Sequence, residues 1–203
     1  VPKVVDHDQR RVEIIEAAWR TIARTGWDSA TMAAIAAEAG FANGALKPYF
    51  ATKDDLLAAA FDHIYVQTGR RMVAATAGKH GLAALRAYCR EILPLDETTR
   101  DEARVVLPFW HKALTTAHLA ARHERAMREW RTQLQRHLSE ARDAGEVRTP
   151  IPDEDIVGHL LTALLGAQIT ATLMPDLETA QTLTTQLDAF LELLRGPAGT
   201  SCG

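Results

Sequence analysis

Residues 31–50 read TMAAIAAEAGFANGALKPYF, from Thr31 to Phe50, and this stretch decides the fold. Thr31 is a good N-cap for a helix over 32–39, and Gly40 ends it. A glycine there takes the positive φ that a tight turn between two helices needs. Ala36, four residues earlier, is small enough for a second helix to cross closely. Ile35, Ala39, Phe41, Leu46 and Tyr49 provide the apolar contacts that lock such a pair to a body. These conditions hold together in one register, which predicts a helix-turn-helix with its second, short helix beginning near Asn43. Spacing alone also fits a plain pair of short amphipathic helices. The ring of Pro48 should clash with the carbonyl four residues back, so the second helix is expected to be short or distorted at its end.

Upstream, a first helix is expected over 8–25. Val12, Ile15, Ala18, Trp19 and Ile22 share one face, and Gly26 stops it. Downstream, Thr52 opens a fourth helix, with Asp55 completing a near-capping box. That helix runs to about Ala77, before Gly78 and Gly81. Longer helices follow over 82–92, closed by Pro94, and over 99–114, kinked at Pro108. Another spans 117–144, capped by Thr116 and ended by Gly145. The last two are 154–173, capped by Asp153, and 177–194, capped by Asp176. Strand patterns are nearly absent, so the fold class is all-α with about nine helices. The expected organisation is a helix-turn-helix domain over 1–55, a helical domain over 56–195 and a frayed tail over 196–203. The soft boundary falls inside the fourth helix.

Composition narrows the function classes. The chain has 203 residues, 47% hydrophobic and 24% charged, which is ordinary for a globular protein with a real core. Cys89 and Cys202 fit neither a disulfide framework nor a zinc spacing and read as a buried thiol and a tail thiol in a reducing compartment. Residues 1–11 lack the apolar core of a signal peptide. The apolar stretch 156–174 is interrupted by Gly158, His159, Thr162, Gly166, Gln168, Thr170 and Thr172, which argues against a bilayer span. A cytoplasmic protein with no membrane partner is expected. No Ser/His/Asp or Cys/His arrangement, phosphate loop or dinucleotide-binding glycine pattern stands out, so no enzyme activity and no cofactor are expected. His111, His118 and His123 match no metal-ligand spacing, and no metal is expected. The formal net charge of -3 weighs weakly against nucleic acid, but the cations on the contacting face matter more.

From Thr31 to Leu57 the chain resembles the signature of the TetR (tetracycline-repressor) family. The matching residues are Thr31, Ile35-Ala36, Gly40, Leu46, Tyr49-Phe50, Lys53, Asp54-Asp55 and Leu56. The C-terminal two-thirds resembles the subgroup containing the choline-responsive repressors. That likeness rests on FWHKAL at 109–114, the 130–145 helix with its glycine stop, and the 156–173 helix with a central glycine. The chain departs from the family at Ala42, where a serine is usual, at Lys47, where an aromatic is usual, and at Pro48.

The resemblance implies a transcriptional regulator, a repressor released from a palindromic operator by a small-molecule effector. The competing expectation is a helical ligand-binding or scaffold protein that has lost operator binding. The DNA-contacting residues implied are Thr31, Asn43, Gly44, Ala45, Lys47, Tyr49 and Lys53. Thr31 would offer a hydroxyl and helix amides to a phosphate, Asn43 a base contact, Lys47 guanine or phosphate, and Tyr49 and Lys53 phosphate. Arg10 and Arg11 either add arm contacts or are simply solvated, as Lys53 could also be. A homodimer through the last two helices is expected. Ile156, Leu160, Leu164, Ile169 and Leu173, with small Gly158, Ala163, Gly166 and Ala167, would pack against Leu183, Leu187, Phe190, Leu191 and Leu194. Those stripes could instead face only the monomer core. Effector-lining candidates are Tyr88, Phe109, Trp110, His111, Trp130 and Gln168; the two tryptophans could cage a cation or be ordinary core aromatics.

Overall fold

The computed structural model describes residues 7–42 and 44–196. Eight α-helices and no strands occur among them: α1 His7–Thr25, α2 Met32–Glu38, α3 Lys53–Thr76, α4 Gly81–Arg90, α5 Glu97–Ala113, α6 Ala117–Asp143, α7 Asp153–Leu173 and α8 Ala180–Arg195. The expected third helix is instead a run of turns, so the expected fourth helix is α3. Asn43, Cys202 and most of the expected tail lie outside the described residues.

The described chain forms two compact units, divided inside α3 between Gln67 and Thr68. The first contains α1, α2 and α3 up to Gln67, together with Asp101–His123. Sequence places 101–123 with the C-terminal helices, whereas here this segment is compact with the helix-turn-helix. The reasons are specific contacts. Phe109 stacks on Phe61 with centroids 3.8 Å apart. Arg104 donates to the Ala23 carbonyl at 3.5 Å, Lys112 pairs with Asp54 at 3.2 Å, and Arg122 pairs with Asp62. The same unit buries Ile14, Ala18, Ile22, Ile35, Leu46, Phe50, Leu56 and Leu57. The buried stripe of α1 is Ile14, Ile15, Ala18 and Ile22; Val12, expected on it, lies at its edge and is 39% exposed.

The second unit comprises Thr68–Arg100 and the described residues from Glu124 onward. Its core joins Leu85 and Cys89 of α4, Leu134 and Leu138 of α6, Val157, Leu160 and Leu164 of α7, and Leu187 and Leu191 of α8. Burial pushes the Cys89 thiol up to about 12, so it is an inert core group. Among the described residues, α7 is the one helix long and apolar enough to cross a membrane, but Ile156, Val157, Leu160, Leu161 and Leu164 are packed in this core.

Helix α8 begins three residues later than the sequence suggests. Met174 accepts turn hydrogen bonds from Leu177 and Glu178 at 3.0 and 2.9 Å, and Thr179 caps the helix by accepting from the Thr182 amide at 3.1 Å. Pro152, not Asp153, is the N-cap of α7; Asp153 sits in the first turn and pairs with Arg142.

Arg86 clamps α4 to α8 through two bonds to Asp188, Nε to Oδ1 at 2.5 Å and Nη2 to Oδ2 at 2.7 Å. The guanidinium holds the Asp188 carboxyl below the usual aspartate range. A depressed folded-state value adds stability that is present above the unfolded value of ~4. That stability is lost as pH falls through the lower folded value. Asp188→Asn is therefore expected to lower the urea midpoint at pH 7 and to shrink the loss of stability below pH ~4 that the parent shows. An acid series of urea titrations measures both.

Candidate nucleic-acid interface

The site begins at Thr31. Its backbone is extended, with φ -82 and ψ 157, and its side chain accepts from the Ala34 amide at 3.1 Å. One of the orphan amides at the start of α2 is thereby satisfied. Thr31→Ala is expected to cost about 1 kcal/mol in urea unfolding, while Thr31→Ser keeps most of that. At the other end Gly40 has φ 73; its amide donates to the Ala37 carbonyl at 3.1 Å and the Phe41 amide donates to Ala36 at 2.8 Å. This is a Schellman closure, and it turns the chain sharply after seven helical residues. Glu38 ties α2 to α1 by accepting from Arg24 at 2.9 Å and Arg20 at 3.2 Å, and these cations, Arg24 first, hold its carboxyl below the ordinary range.

The segment after the turn is where sequence and structure differ most. Gly44 has φ +87, a left-handed value that cannot belong to an α-helix. The ladder there is short-range: Ala45 donates to Ala42 at 3.0 Å, Lys47 to Gly44 at 3.2 Å and Tyr49 to Leu46 at 2.9 Å. Among the described residues, Phe50 makes the i-to-i−4 bond of this segment, to Leu46 at 2.9 Å. Pro48 has no amide hydrogen to donate, so it breaks the series. The expected recognition helix is thus a recognition turn, as Pro48 hinted.

The turn is anchored from below and open above. Leu46 and Phe50 are buried, whereas Gly44, Lys47 and Pro48 are exposed and Ala45 and Tyr49 half-buried. The Tyr49 ring lies against that of His7, with centroids 4.3 Å apart and planes tilted 30°. Arg11 donates from Nη1 to the Tyr49 carbonyl at 2.9 Å, and its guanidinium sits 4.3 Å from the Phe50 ring centre. Arg10 lies 5.7 Å over the Phe41 ring. Both arginines are therefore held on aromatic faces at the edge of the turn. Helix α3 opens with a reciprocal cap: the Thr52 amide donates to Asp55 at 3.0 Å, and the Asp55 amide donates back to Thr52 Oγ1 at 3.0 Å. Lys53 points its ammonium to the Trp27 carbonyl and sits 4.1 Å from the Trp27 ring centre. Burial lowers its pKa.

Thr31, Gly44, Ala45, Lys47, Tyr49 and Lys53 thus all belong to the first unit. Sequence reasoning missed His7 and Trp27, which lie 42 and 26 positions from the residues they touch, Tyr49 and Lys53. No local pattern marks such pairs.

The effector candidates are distributed over both units. Phe109, Trp110 and His111 belong to the first. Phe109 is fully buried, Trp110 keeps its buried Nε1 without a hydrogen-bond partner among the described residues, and His111 is exposed. Tyr88, Trp130 and Gln168 belong to the second. Tyr88 packs on His137 at 5.7 Å, Trp130 packs against the core, and Gln168 is buried with Nε2 donating to the Ile92 carbonyl.

Two family descriptions match this chain: "Bacterial regulatory proteins, tetR family" over residues 14–60, and "BetI-type transcriptional repressor, C-terminal" over residues 81–196. The regulator PksA of Bacillus subtilis is 50% identical over 60 residues, 30% of this chain and 29% of PksA. The regulator BetI of Paraburkholderia phytofirmans is 31% identical over 118 residues, 56% of this chain and 60% of that protein. The matches thus span less than two thirds of the length of these relatives. A Rhodococcus transcriptional regulator of known structure superposes with a TM-score of 0.80 at 27% identity, covering 91% of this chain and 95% of the other. A Saccharomonospora viridis regulator crystallised with choline superposes at 0.85 and 22% identity, covering 92% and 97%.

Proposed function

Because the chain belongs to the TetR family of bacterial regulators and carries a BetI-type C-terminal domain, we propose that it represses transcription by gripping a palindromic operator and releasing it when a small molecule binds. The observation that carries this reading is the helix-turn-helix itself: α2 capped by Thr31, closed at Gly40, and followed by a turn that exposes Lys47 above buried Leu46 and Phe50. It acts as a non-enzymatic regulator in the cytoplasm, where its DNA is.

In this reading residues up to 55 read DNA and 56–195 bind effector and dimerise. Gly44 and Ala45 let the backbone approach the bases, Lys47 reaches guanine or phosphate, and Thr31 and Tyr49 offer hydroxyls to phosphates. Lys53 reaches a phosphate by leaving the Trp27 face. Asn43 would read a base edge. A homodimer forms through the outward faces of α7 and α8, where Ile169, Leu173 and Leu193 are exposed. That supports reading the apolar α7 as protein-facing on both sides, not as a membrane span.

Effector binding shifts the population toward a conformer whose recognition turns no longer fit successive major grooves. The effector is a small cation. Its candidate cation–π partners are Trp110, with Phe109 and His111 in the first unit, or Trp130, with Tyr88 and Gln168 in the second. The choline held by the S. viridis relative is the first compound to try. Titrating choline into the preformed protein–operator complex, followed by fluorescence anisotropy, is expected to weaken binding roughly 5–150-fold. A ligand that binds yet leaves operator affinity unchanged contradicts the release mechanism.

The turn conformation at 44–49 also favours a second reading, a helical ligand-binding protein without operator affinity. Under that reading the parent would not prefer any DNA sequence, and Pro48→Ala would restore a preference.

A further inference from the structure

A recognition helix holds its shape through its own hydrogen-bond ladder. The turn at 44–49 relies on i-to-i−3 bonds from Ala45, Lys47 and Tyr49 in place of a regular α-helical ladder, because Gly44 is left-handed and Pro48 donates nothing. Its C-terminal carbonyl, on Tyr49, lies before the next helix, which starts at Lys53. It accepts instead from the side chain of Arg11, 38 residues away, at 2.9 Å. The same guanidinium lies 4.3 Å from the centre of the Phe50 ring, and Phe50 is buried. One planar group therefore fixes the end of the turn twice, by a main-chain bond and by stacking. His7, one turn earlier on α1, rests on the Tyr49 ring at 4.3 Å.

We propose that Arg11 is the positioning residue of the recognition turn, holding Gly44 to Tyr49 in the register that discriminates one DNA sequence from another, and that it does not serve as a phosphate contact. The inference rests on the operator-binding reading above. Its chemistry requires arginine. A lysine has no planar fork that can donate to the carbonyl while lying flat on the ring. A cation committed to a main-chain oxygen and an aromatic face is poorly placed to neutralise a phosphate as well. A loosened turn should still meet the DNA backbone through the remaining cations, because non-specific affinity depends on phosphate neutralisation and not on turn geometry.

The experiment measures binding of the full chain to its selected operator and to a scrambled duplex of equal length across a salt series, for the parent, Arg11→Gln, Arg11→Lys and His7→Ala. Arg11→Gln and Arg11→Lys are both expected to weaken operator binding roughly 5–150-fold, the range of a misread base pair. Scrambled-duplex binding and the salt slope should stay at parental values. His7→Ala is expected to move the same ratio in the same direction by less. Arg11 is exposed, and thermal unfolding of the variants checks that their folds are kept. Equal weakening on both duplexes, with the salt slope smaller by about one and lysine restoring it, would make Arg11 a phosphate contact and overturn the inference. Unchanged binding in Arg11→Gln would overturn it too. A parent chain without any sequence preference would overturn the operator-binding reading itself, and the inference with it.

Discussion

Replacing Phe109 by alanine is expected to lower the unfolding free energy by about 3–5 kcal/mol. Phe109 is 0% exposed and lies nearly parallel to Phe61, with centroids 3.8 Å and planes 7° apart. The variant loses the transfer energy of the ring and leaves a cavity that close-packed neighbours cannot fill. It also loses the aromatic pair, which adds ~0.5–1.5 kcal/mol beyond buried area. This contact couples α5 to α3 inside the first unit, so the damage should reach the unit that carries the recognition turn. In a chain of this size each kcal/mol moves the thermal midpoint by roughly 2–4 °C. Urea unfolding at pH 7 gives the free energy. A loss under ~1 kcal/mol would mean that the site collapses around the missing ring, against the tight packing described. Because the residue is core first, Phe109→Ala is a poor probe of the effector, and Trp110→Phe is the better one.

The second large effect concerns assembly. Leu173 and Leu193 are 73% and 74% exposed in the single chain, and Ile169 is 42% exposed. Ala163 and Gly166 lie on the same outward side of α7 and allow close approach of a partner helix. By contrast, Ile156, Leu160, Leu164, Leu183, Leu187, Leu191 and Leu194 face the core of their own unit. The double substitution Leu173→Glu with Leu193→Glu is therefore expected to turn a dimer into a monomer, since unpaired charges give up their water to enter an apolar interface only at high cost. Operator affinity should fall by at least ~100-fold, because a monomer reads one half-site and loses much of the specific energy. Sedimentation equilibrium reports the assembly and anisotropy the affinity. A variant that stays dimeric would place the interface elsewhere, and one that is monomeric but binds undiminished would remove dimerisation from the mechanism.

Much of the fold was legible because its punctuation is local. Thr31, Gly40 and the Thr52–Asp55 box act within three or four residues, and each is found doing what its side chain dictates. The start of α8 was misread because Asp176 and Thr179 are both competent caps, and the turn accepted by Met174 decides between them. Pro48 predicted a damaged recognition helix, but the left-handed Gly44 that completes the change depends on backbone conformation no composition rule fixes. Phe61 with Phe109, Trp27 with Lys53, and Arg11 with Tyr49 are tertiary pairs, invisible to periodicity. The apolar stripes of the last helices were visible as stripes. Which half faces inward follows only from the packing of α7 and α8 on α4 and α6.

The most direct test of the account is selection of DNA sites by the purified full chain from genomic fragments, at stated salt, with Lys47→Ala run in parallel. The account predicts enrichment of a palindrome whose half-sites are about one helical turn or a multiple of it apart, and a weaker enrichment by the variant. No enrichment even at low salt would contradict it, and would leave a helical ligand-binding protein whose recognition turn no longer reads DNA.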